Sequence, residues 1–182
     1  MFLFWFDLWV VGVGSASTVL VVLRGNSGSG KSTIARTLQD RHELAVISQD
    51  LLRREVLGVG DGRGNPAVGL IDLVARFALD RGMHLVMEGI LRSDIYGPML
   101  RSLADDHLGT TGFFRFDLPF EEALRRHNTK GCSDFGESEL RQWWRDHDAL
   151  HGCDERVIGS DRDPDAIVDL ITTAVRLALP NR

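Results

Sequence analysis

The feature that most constrains the fold of this chain is a glycine-rich turn between an apolar run and a helical pattern. Residues 25–33 read Gly-Asn-Ser-Gly-Ser-Gly-Lys-Ser-Thr and match the pattern GxxxxGK(S/T) from Gly25 to Ser32. The β-branched run at residues 19–24 predicts a buried parallel strand, and helical spacing follows from Lys31 to about Arg41. This order of strand, turn and helix predicts a cradle of backbone N–H groups that binds phosphate at a helix N-terminus.

Each position of this turn has a predicted role in binding a nucleoside triphosphate. The glycines allow successive backbone N–H groups to point at the β-phosphate. We expect Lys31 to contact the β- and γ-phosphate oxygens and the Ser32 hydroxyl to bind Mg²⁺. The predicted nucleotide-binding residues are Gly25, Asn26, Ser27, Gly28, Ser29, Gly30, Lys31, Ser32 and Thr33.

Strands and helices alternate along the rest of the chain. Short apolar runs predict further strands at residues 44–47, 85–87, 112–117 and 156–158. The alternation predicts a three-layer α/β fold with a five-stranded, mostly parallel sheet and helices on both faces. A length of 182 residues fits one domain, which we place at residues 18–182.

Residues 1–17 form an apolar extension ahead of this domain. Residues 2–13 are largely apolar, with one acid and no Lys or Arg. The run is shorter than the roughly 20 apolar residues of a membrane span, and it lacks the positive start of a secretory signal. Three explanations stay open: a start codon placed too early, a segment packed on the surface, and a weak membrane-surface anchor.

Composition bears on partners and location. The formal net charge of −5 argues against a nucleic acid as the partner, because such proteins present a basic face. The two cysteines, Cys132 and Cys153, form no CxxC pair, which fits a reducing, cytoplasmic setting. Because the apolar run at residues 2–13 is too short for a span, we do not expect a membrane partner. No pattern indicates an oligomeric state.

Two acidic residues follow predicted strands, at the sheet edge where open α/β proteins bind ligands. Asp50 follows the second strand, where a carboxylate can accept the proton of an attacking hydroxyl. Its alternative role is to cap the helix that starts at Leu51. Glu88 ends the third strand, where an acid can hold the Mg²⁺ shell, and its alternative role is that of a buried structural acid. Whether Glu88 serves the metal or the acceptor stays open.

With these pieces the chain resembles the small P-loop kinases, the group with chloramphenicol phosphotransferase, zeta-toxin-like proteins and the kinase domain of polynucleotide kinase. The matching segments are residues 25–33, Asp50-Leu51-Leu52-Arg53, Glu88 and the helix at residues 120–127. The resemblance runs from about residue 19 to 179 and implies a P-loop nucleoside-triphosphate-hydrolase fold. It also implies that Asp50 is the catalytic base and that Arg53 contacts the acceptor. Arg92, in the loop after Glu88, is a further candidate for acceptor binding.

A small helical lid is predicted at about residues 128–150. Phosphoryl transfer needs positive charge near the leaving group and exclusion of water, and basic residues cluster around the irregular segment 128–136. Analogy with related kinases points to Arg126 and Lys130 as catalytic residues. Arg141 and Arg145 are four apart, so we expect them on one face of a helix that runs to about Leu150. An ordinary solvated basic face is the alternative interpretation.

These features predict a kinase that uses ATP and Mg²⁺ to phosphorylate a hydroxyl of a small molecule, such as an antibiotic, a nucleoside-like compound or a metabolite. The sequence contains no NKxD motif, which favours ATP over GTP. Two other functions stay open: a polynucleotide 5′-hydroxyl kinase, and a nucleotide-binding regulatory or toxin-like NTPase. The sequence does not identify the acceptor.

Overall fold

The computed structural model describes residues 12–129 and 136–177. The strands are β1 (Val19–Gly25), β2 (Ala45–Ser48), β3 (Leu85–Gly89), β4 (Thr110–Phe116) and β5 (Glu155–Ile158). The helices are α1 (Lys31–His42), α2 (Ala67–Asp80), α3 (Ser93–Asp106), α4 (Phe120–Thr129), α5 (Glu137–Trp143) and α6 (Pro164–Ala174). A short π-helix, Leu51–Val56, follows β2.

The sheet has five parallel strands in the order β2-β3-β1-β4-β5, as the alternating pattern predicted. In its register Leu23 of the central strand lies opposite Glu88 of β3, and Ser48 of β2 lies opposite the same Glu88. Because all strands run in one direction, the loop after β1 and the residues after β2 and β3 meet at one edge of the sheet. That edge holds the predicted site.

Both faces of the sheet are covered by helices, which confirms the three-layer architecture. Successive β1 side chains point to opposite faces, so that Leu20 and Val22 belong to one apolar core and Val21 and Leu23 to the other. In the first core the helical residues are Ile71, Ala75 and Leu79 of α2 with Leu100 and Leu103 of α3. In the second they are Ile34, Ala35 and Leu38 of α1 with Ile167, Val168 and Ile171 of α6.

The predicted helix over residues 137–150 is wrong in its second half, since α5 ends at Trp143. Trp144 leaves the helix with ψ 138°. A continued helix would use the Arg145 N–H for an internal bond, but this N–H donates to Asn26 Oδ1 at 3.0 Å, and Asn26 Nδ2 donates to the Arg145 carbonyl at 2.8 Å. Arg141 and Arg145 therefore do not share a helix face.

The last helix, α6, ends at Ala174. Beyond it, Arg176 takes a left-handed conformation with φ 54°. A helix cannot continue through such a residue.

The end of the predicted extension contacts the domain. Residues 1–11 lie outside the described residues, but Val13 is buried and pairs with His107. The Gly14 N–H donates to Asp80 Oδ1 at 2.8 Å. Across residues 12–129 and 136–177, none of the helices combines the length and apolar character needed to cross a membrane.

Candidate active site

The glycine-rich loop has a conformation that side chains would prevent. Gly25 and Gly28 have positive φ angles of 138° and 78°. A Cβ atom on Gly25 would lie 2.4 Å from the Phe116 carbonyl oxygen, and one on Gly28 would lie 2.6 Å from the Ala123 carbonyl oxygen. Both positions require glycine, because the backbone of β4 and α4 already fills the space.

Lys31 begins α1 and is buried in this loop. Its Nζ donates to the Asn26 carbonyl at 2.8 Å and to Ser29 Oγ at 3.0 Å. The ammonium group is thereby held beside the backbone N–H groups of the loop and the N-terminus of α1, where positive charge attracts phosphate.

Ser32 and Glu88 form an oxygen pair next to Lys31. Ser32 Oγ donates to Glu88 Oε2 at 2.9 Å, and Glu88 is buried at the end of β3. A hydroxyl and a carboxylate are ligands that fit Mg²⁺, which prefers oxygen. Within the described part of the chain no three His, Cys, Asp or Glu side chains are grouped as metal ligands. Mg²⁺ held here would therefore depend on substrate phosphates and water for its other ligands.

Asp50 lines the same cleft as Lys31, Ser32 and Glu88. The cleft is lined by the loop residues Ser27, Gly28, Gly30, Lys31 and Ser32 and by Ser48, Asp50, Glu88, Gly89 and Ile90. The Asp50 side chain is 54% exposed, so that it is open to a substrate. Its partners among the described residues are guanidinium groups, with Arg53 Nη2 at 2.8 Å and Arg54 Nε at 3.5 Å. The capping alternative lacks support, since Asp50 makes no side-chain cap to the following helix in this structure.

The two predicted acceptor-binding arginines lie together in an adjacent cavity. Arg53 is buried, and its Nη1 also donates to the Val59 carbonyl at 2.9 Å. Arg92 is partly exposed and donates to both carboxylate oxygens of Asp94, at 3.0 and 2.8 Å. This cavity, which we call the arginine pocket, is lined by Arg53, Arg54, Gly60, Asp61, Ile90, Arg92, Trp143 and Arg145.

Arg126 lies on the other side of the glycine-rich loop. Its Nη1 donates to the Ser29 carbonyl at 3.3 Å, and its Nη2 donates to the Ser160 carbonyl at 3.3 Å. With Gly28, Ser29, Gly30 and Thr33 it lines a cleft that extends to Pro164 and Ile167. Hydrogen bonds from Arg125 and Arg126 lower the pKa of the Glu122 carboxyl to about 2, so this residue is an anion that orients both guanidinium groups.

The remaining predicted catalytic residue, Lys130, lies outside the described residues, as does the predicted lid between residues 130 and 135. Of the predicted site residues, Lys31, Ser32, Asp50 and Glu88 share one cleft, while Arg53 and Arg92 share the neighbouring pocket.

Sequence reasoning named Asn26 as a nucleotide-binding residue and missed the contacts that fasten the loop to the segment after α5. Asn26 occupies an unspecified position of the glycine-rich pattern, yet its side chain holds the Arg145 backbone through two hydrogen bonds. Asp148 accepts hydrogen bonds from Arg24 and from Ser93. A buried arginine at the end of a core strand was the available signal, because such a charge needs partners.

Part of the sequence and the fold of the chain are similar to those of known proteins. Residues 20–95, from β1 into α3, match the profile of a family described as an AAA domain. A sugar kinase from Janibacter sp. HTCC2649 is similar, with a TM-score of 0.71 and 22% identity over 88% of this chain and 96% of that one. The chain has the fold of the P-loop kinases.

Other proteins with the P-loop kinase fold superpose comparably. The APS kinase of Mycobacterium tuberculosis, solved with AMPPNP and APS, has a TM-score of 0.65 and 20% identity over 91% of this chain and 99% of that one. A gluconokinase from Sinorhizobium meliloti 1021 has a TM-score of 0.64 and 16% identity over 90% and 91%. No curated protein matches the sequence. The chain thus contains a kinase-like P-loop domain, and identities this low establish its fold and not its substrate.

Proposed function

We propose that this protein transfers the γ-phosphate of ATP to a hydroxyl group of a small molecule. The observation that carries this proposal is the shared cleft, which Asp50 lines together with Lys31, Ser32 and Glu88. A hydrolytic switch needs no carboxylate on the acceptor side, whereas a phosphotransferase needs one to orient and deprotonate its alcohol.

The chemistry requires one bond to form and one to break. The acceptor oxygen attacks the γ-phosphorus, and the bond from that phosphorus to the β–γ bridging oxygen breaks, which releases ADP. The hydroxyl proton passes to the Asp50 carboxylate. Lys31 and the loop N–H groups bind the phosphate oxygens, and Arg126 supplies positive charge on the far side of the loop.

Ser32 and Glu88 would hold Mg²⁺ beside Lys31. When bound, this ion would neutralise phosphate charge during transfer. The 2.9 Å hydrogen bond between the two side chains holds both oxygens together in the cleft.

The similar structures support a phosphotransferase and not a particular acceptor. They are a sugar kinase, an APS kinase and a gluconokinase, and the APS kinase was solved with the ATP analogue AMPPNP. We infer ATP as the donor for this chain on that ground and from the missing guanine motif. A cytoplasmic location is part of the same proposal, because ATP-dependent transfer and a free Cys153 both suit that compartment.

The test is a screen with labelled ATP against aminoglycosides, phenicols, nucleosides and sugars, with the product identified by mass. The Asp50→Asn variant should bind Mg²⁺–ATP as the wild type does but lose about 10²–10⁴-fold in kcat, because only the proton acceptor is removed. Arg36→Gln, on the exposed face of α1, is the matched surface control. Full activity of Asp50→Asn would remove Asp50 from the mechanism.

Two results would replace the proposal. Labelling of an oligonucleotide 5′ end in preference to any small molecule would make the protein a polynucleotide kinase. ATP turnover without a phosphorylated product, raised by a protein partner, would make it a regulatory NTPase.

A further inference from the structure

The arginine pocket is lined by four arginines, two of which form ion pairs with Asp50. Arg53 and Arg54 come from the π-helix, Arg92 from the loop after β3, and Arg145 from the segment after α5. This concentration of positive charge occurs in a chain whose formal net charge is −5. It therefore needs an explanation other than the general surface charge.

Three of these four arginines form ion pairs with carboxylates among the described residues, and the fourth does not. Asp50 is shared between Arg53 and Arg54, and Asp94 pairs with Arg92. Arg145 Nη1 donates to the Trp144 carbonyl, a neutral group, and among the described residues no carboxylate forms an ion pair with Arg145. Asp61 is the remaining acid in the lining, and its described hydrogen bonds come from Gln49 and Tyr96. Among the described residues, Arg145 is therefore the lining arginine that has no carboxylate beside it.

One buried nitrogen in the pocket also lacks a partner. Arg53 is buried, and its Nε has no hydrogen-bond partner among the described residues. Buried polar groups are normally satisfied, and an exception calls for an explanation such as a ligand or a water molecule. This Nε is itself enclosed by protein, so the donors open to an anion in the pocket are those of Arg92, which is 23% exposed, and of the exposed Arg145.

The rest of the pocket suits a hydroxylated molecule. Asp61 Oδ1 accepts a hydrogen bond from the buried Tyr96 hydroxyl at 3.0 Å, and Asn65 Nδ2 in turn donates to that hydroxyl at 3.1 Å. The Asp61 carboxylate is thus held in place and can accept from an alcohol. Trp143 adds a flat apolar wall, with the Arg54 guanidinium 5.4 Å from its ring centre.

We infer that the acceptor is a small hydroxylated anion, whose carboxylate, sulfate or phosphate group is bound by the arginine pocket. This inference rests on the proposed function and narrows its substrate class. The anionic group sits among Arg53, Arg92 and Arg145, one hydroxyl donates to Asp61, and another points at Asp50. The cavity of about 270 Å³ is close to the lower limit for small-molecule sites, which suits a metabolite of monosaccharide size.

The test compares acceptors that differ only in their anionic group: gluconate with glucitol, ribose 5-phosphate with ribose, and a nucleoside 3′-phosphate with its nucleoside. In at least one pair the anionic member should have a kcat/KM that is about 10-fold or more higher, because its anionic group accepts charge-assisted hydrogen bonds that the neutral member cannot form. The double variant Arg92→Gln, Arg145→Gln should raise KM for the anionic member and bring the ratio towards one. Arg36→Gln should leave the ratio as it is in the wild type.

A binding measurement separates this inference from the proposed function. Calorimetry with the same pairs, in the presence of Mg²⁺ and AMPPNP, reports acceptor binding without turnover. Preferred phosphorylation of a neutral member would overturn the inference and leave the kinase function standing. Preferred binding of the anionic members without phosphate transfer would support the anion site and overturn the kinase function. If neither member of any pair binds, or if an oligonucleotide binds better than all of them, the small anionic acceptor is wrong.

Discussion

At the scale of single residues, the glycine-rich loop requires glycine at position 28, because backbone atoms fill the space that a Cβ atom would occupy. Gly28 combines a φ of 78° with a carbonyl oxygen 2.6 Å from its would-be Cβ atom. We expect Gly28→Ala to cost about 1–3 kcal/mol of unfolding free energy and to weaken Mg²⁺–ATP binding, because the loop must move away from Ala123. Urea titration and calorimetry would measure the two effects.

The matched control for this change is Gly62→Ala. A Cβ atom on Gly62 meets nothing within 4 Å, and its φ is not left-handed. Its effect on stability should stay within about 0.5 kcal/mol. Equal ATP affinity in Gly28→Ala and Gly62→Ala would show that the loop tolerates a side chain where the structure leaves no room.

The residues of the phosphate cradle were predictable because the requirement is local. Glycines, a lysine and a hydroxyl within eight positions define the loop without reference to the rest of the chain. Asp50 and Glu88 followed from the rule that ligands bind at the carboxyl ends of parallel strands. No such rule predicts Arg54 and Asp61. They line the arginine pocket because of how the π-helix and the loop at residues 58–66 are arranged after β2.

At the scale of elements, α2 carries a glycine that its helix does not need. Gly69 lies exposed within Ala67–Asp80, and a Cβ atom there would meet nothing within 4 Å. Gly69→Ala should raise the unfolding free energy by about 0.5–1 kcal/mol, because alanine loses less backbone entropy on folding. Thermal or urea denaturation would measure the gain.

Gly82, just after the same helix, provides the opposite case. It also has no neighbour within 4 Å of a would-be Cβ atom, but its φ is 77°. Gly82→Ala should therefore destabilise the protein by about 1–2 kcal/mol through backbone strain alone. If both alanine variants shifted stability in the same direction, helix propensity and strain would not explain them.

Element boundaries show where the sequence was least informative. The five strands were found from apolar runs, whose spacing reports burial directly. The end of α5 was missed, because Trp143 and Trp144 are both compatible with a helix and the contact that ends it comes from Asn26, more than a hundred residues away. Long-range hydrogen bonds of this kind leave no local pattern.

At the scale of the whole molecule, Arg24 ties together three parts of the fold. Its side chain is 1% exposed and donates to Asp148, to Glu155 of β5 and to the Leu91 carbonyl. Arg24→Met should destabilise the protein by about 3–5 kcal/mol, because it removes the cation that donates to the buried Glu155 and to the partly buried Asp148. Arg41→Met removes an ion pair to Asp165 whose side chains are 50% and 73% exposed, and it should cost at most about 1 kcal/mol. Similar losses in the two variants, measured by urea titration, would contradict the role of the buried network.

The pH dependence of global stability should depend on His107. This buried residue joins the segment before β1 to the start of β4, through Nε2 to Thr18 Oγ1 at 2.9 Å and Nδ1 to Thr111 Oγ1 at 2.8 Å. Burial lowers the pKa of the His107 imidazole below the usual 6.5. As pH falls below 6.5, the unfolded chain takes up a proton that the folded chain refuses, so the unfolded state is favoured.

The stabilising contribution of neutral His107 is therefore complete above pH 6.5 and is lost as the pH falls through the lower pKa of the folded state. The unfolding free energy of the wild type should decline from pH 8 to pH 5 more steeply than that of His107→Gln, which has no proton to gain. The exposed His151 supplies the control, since His151→Gln should keep the wild-type slope. Parallel slopes for the wild type and His107→Gln in urea titrations would show that this imidazole titrates alike in both states, and that its burial has no part in acid sensitivity.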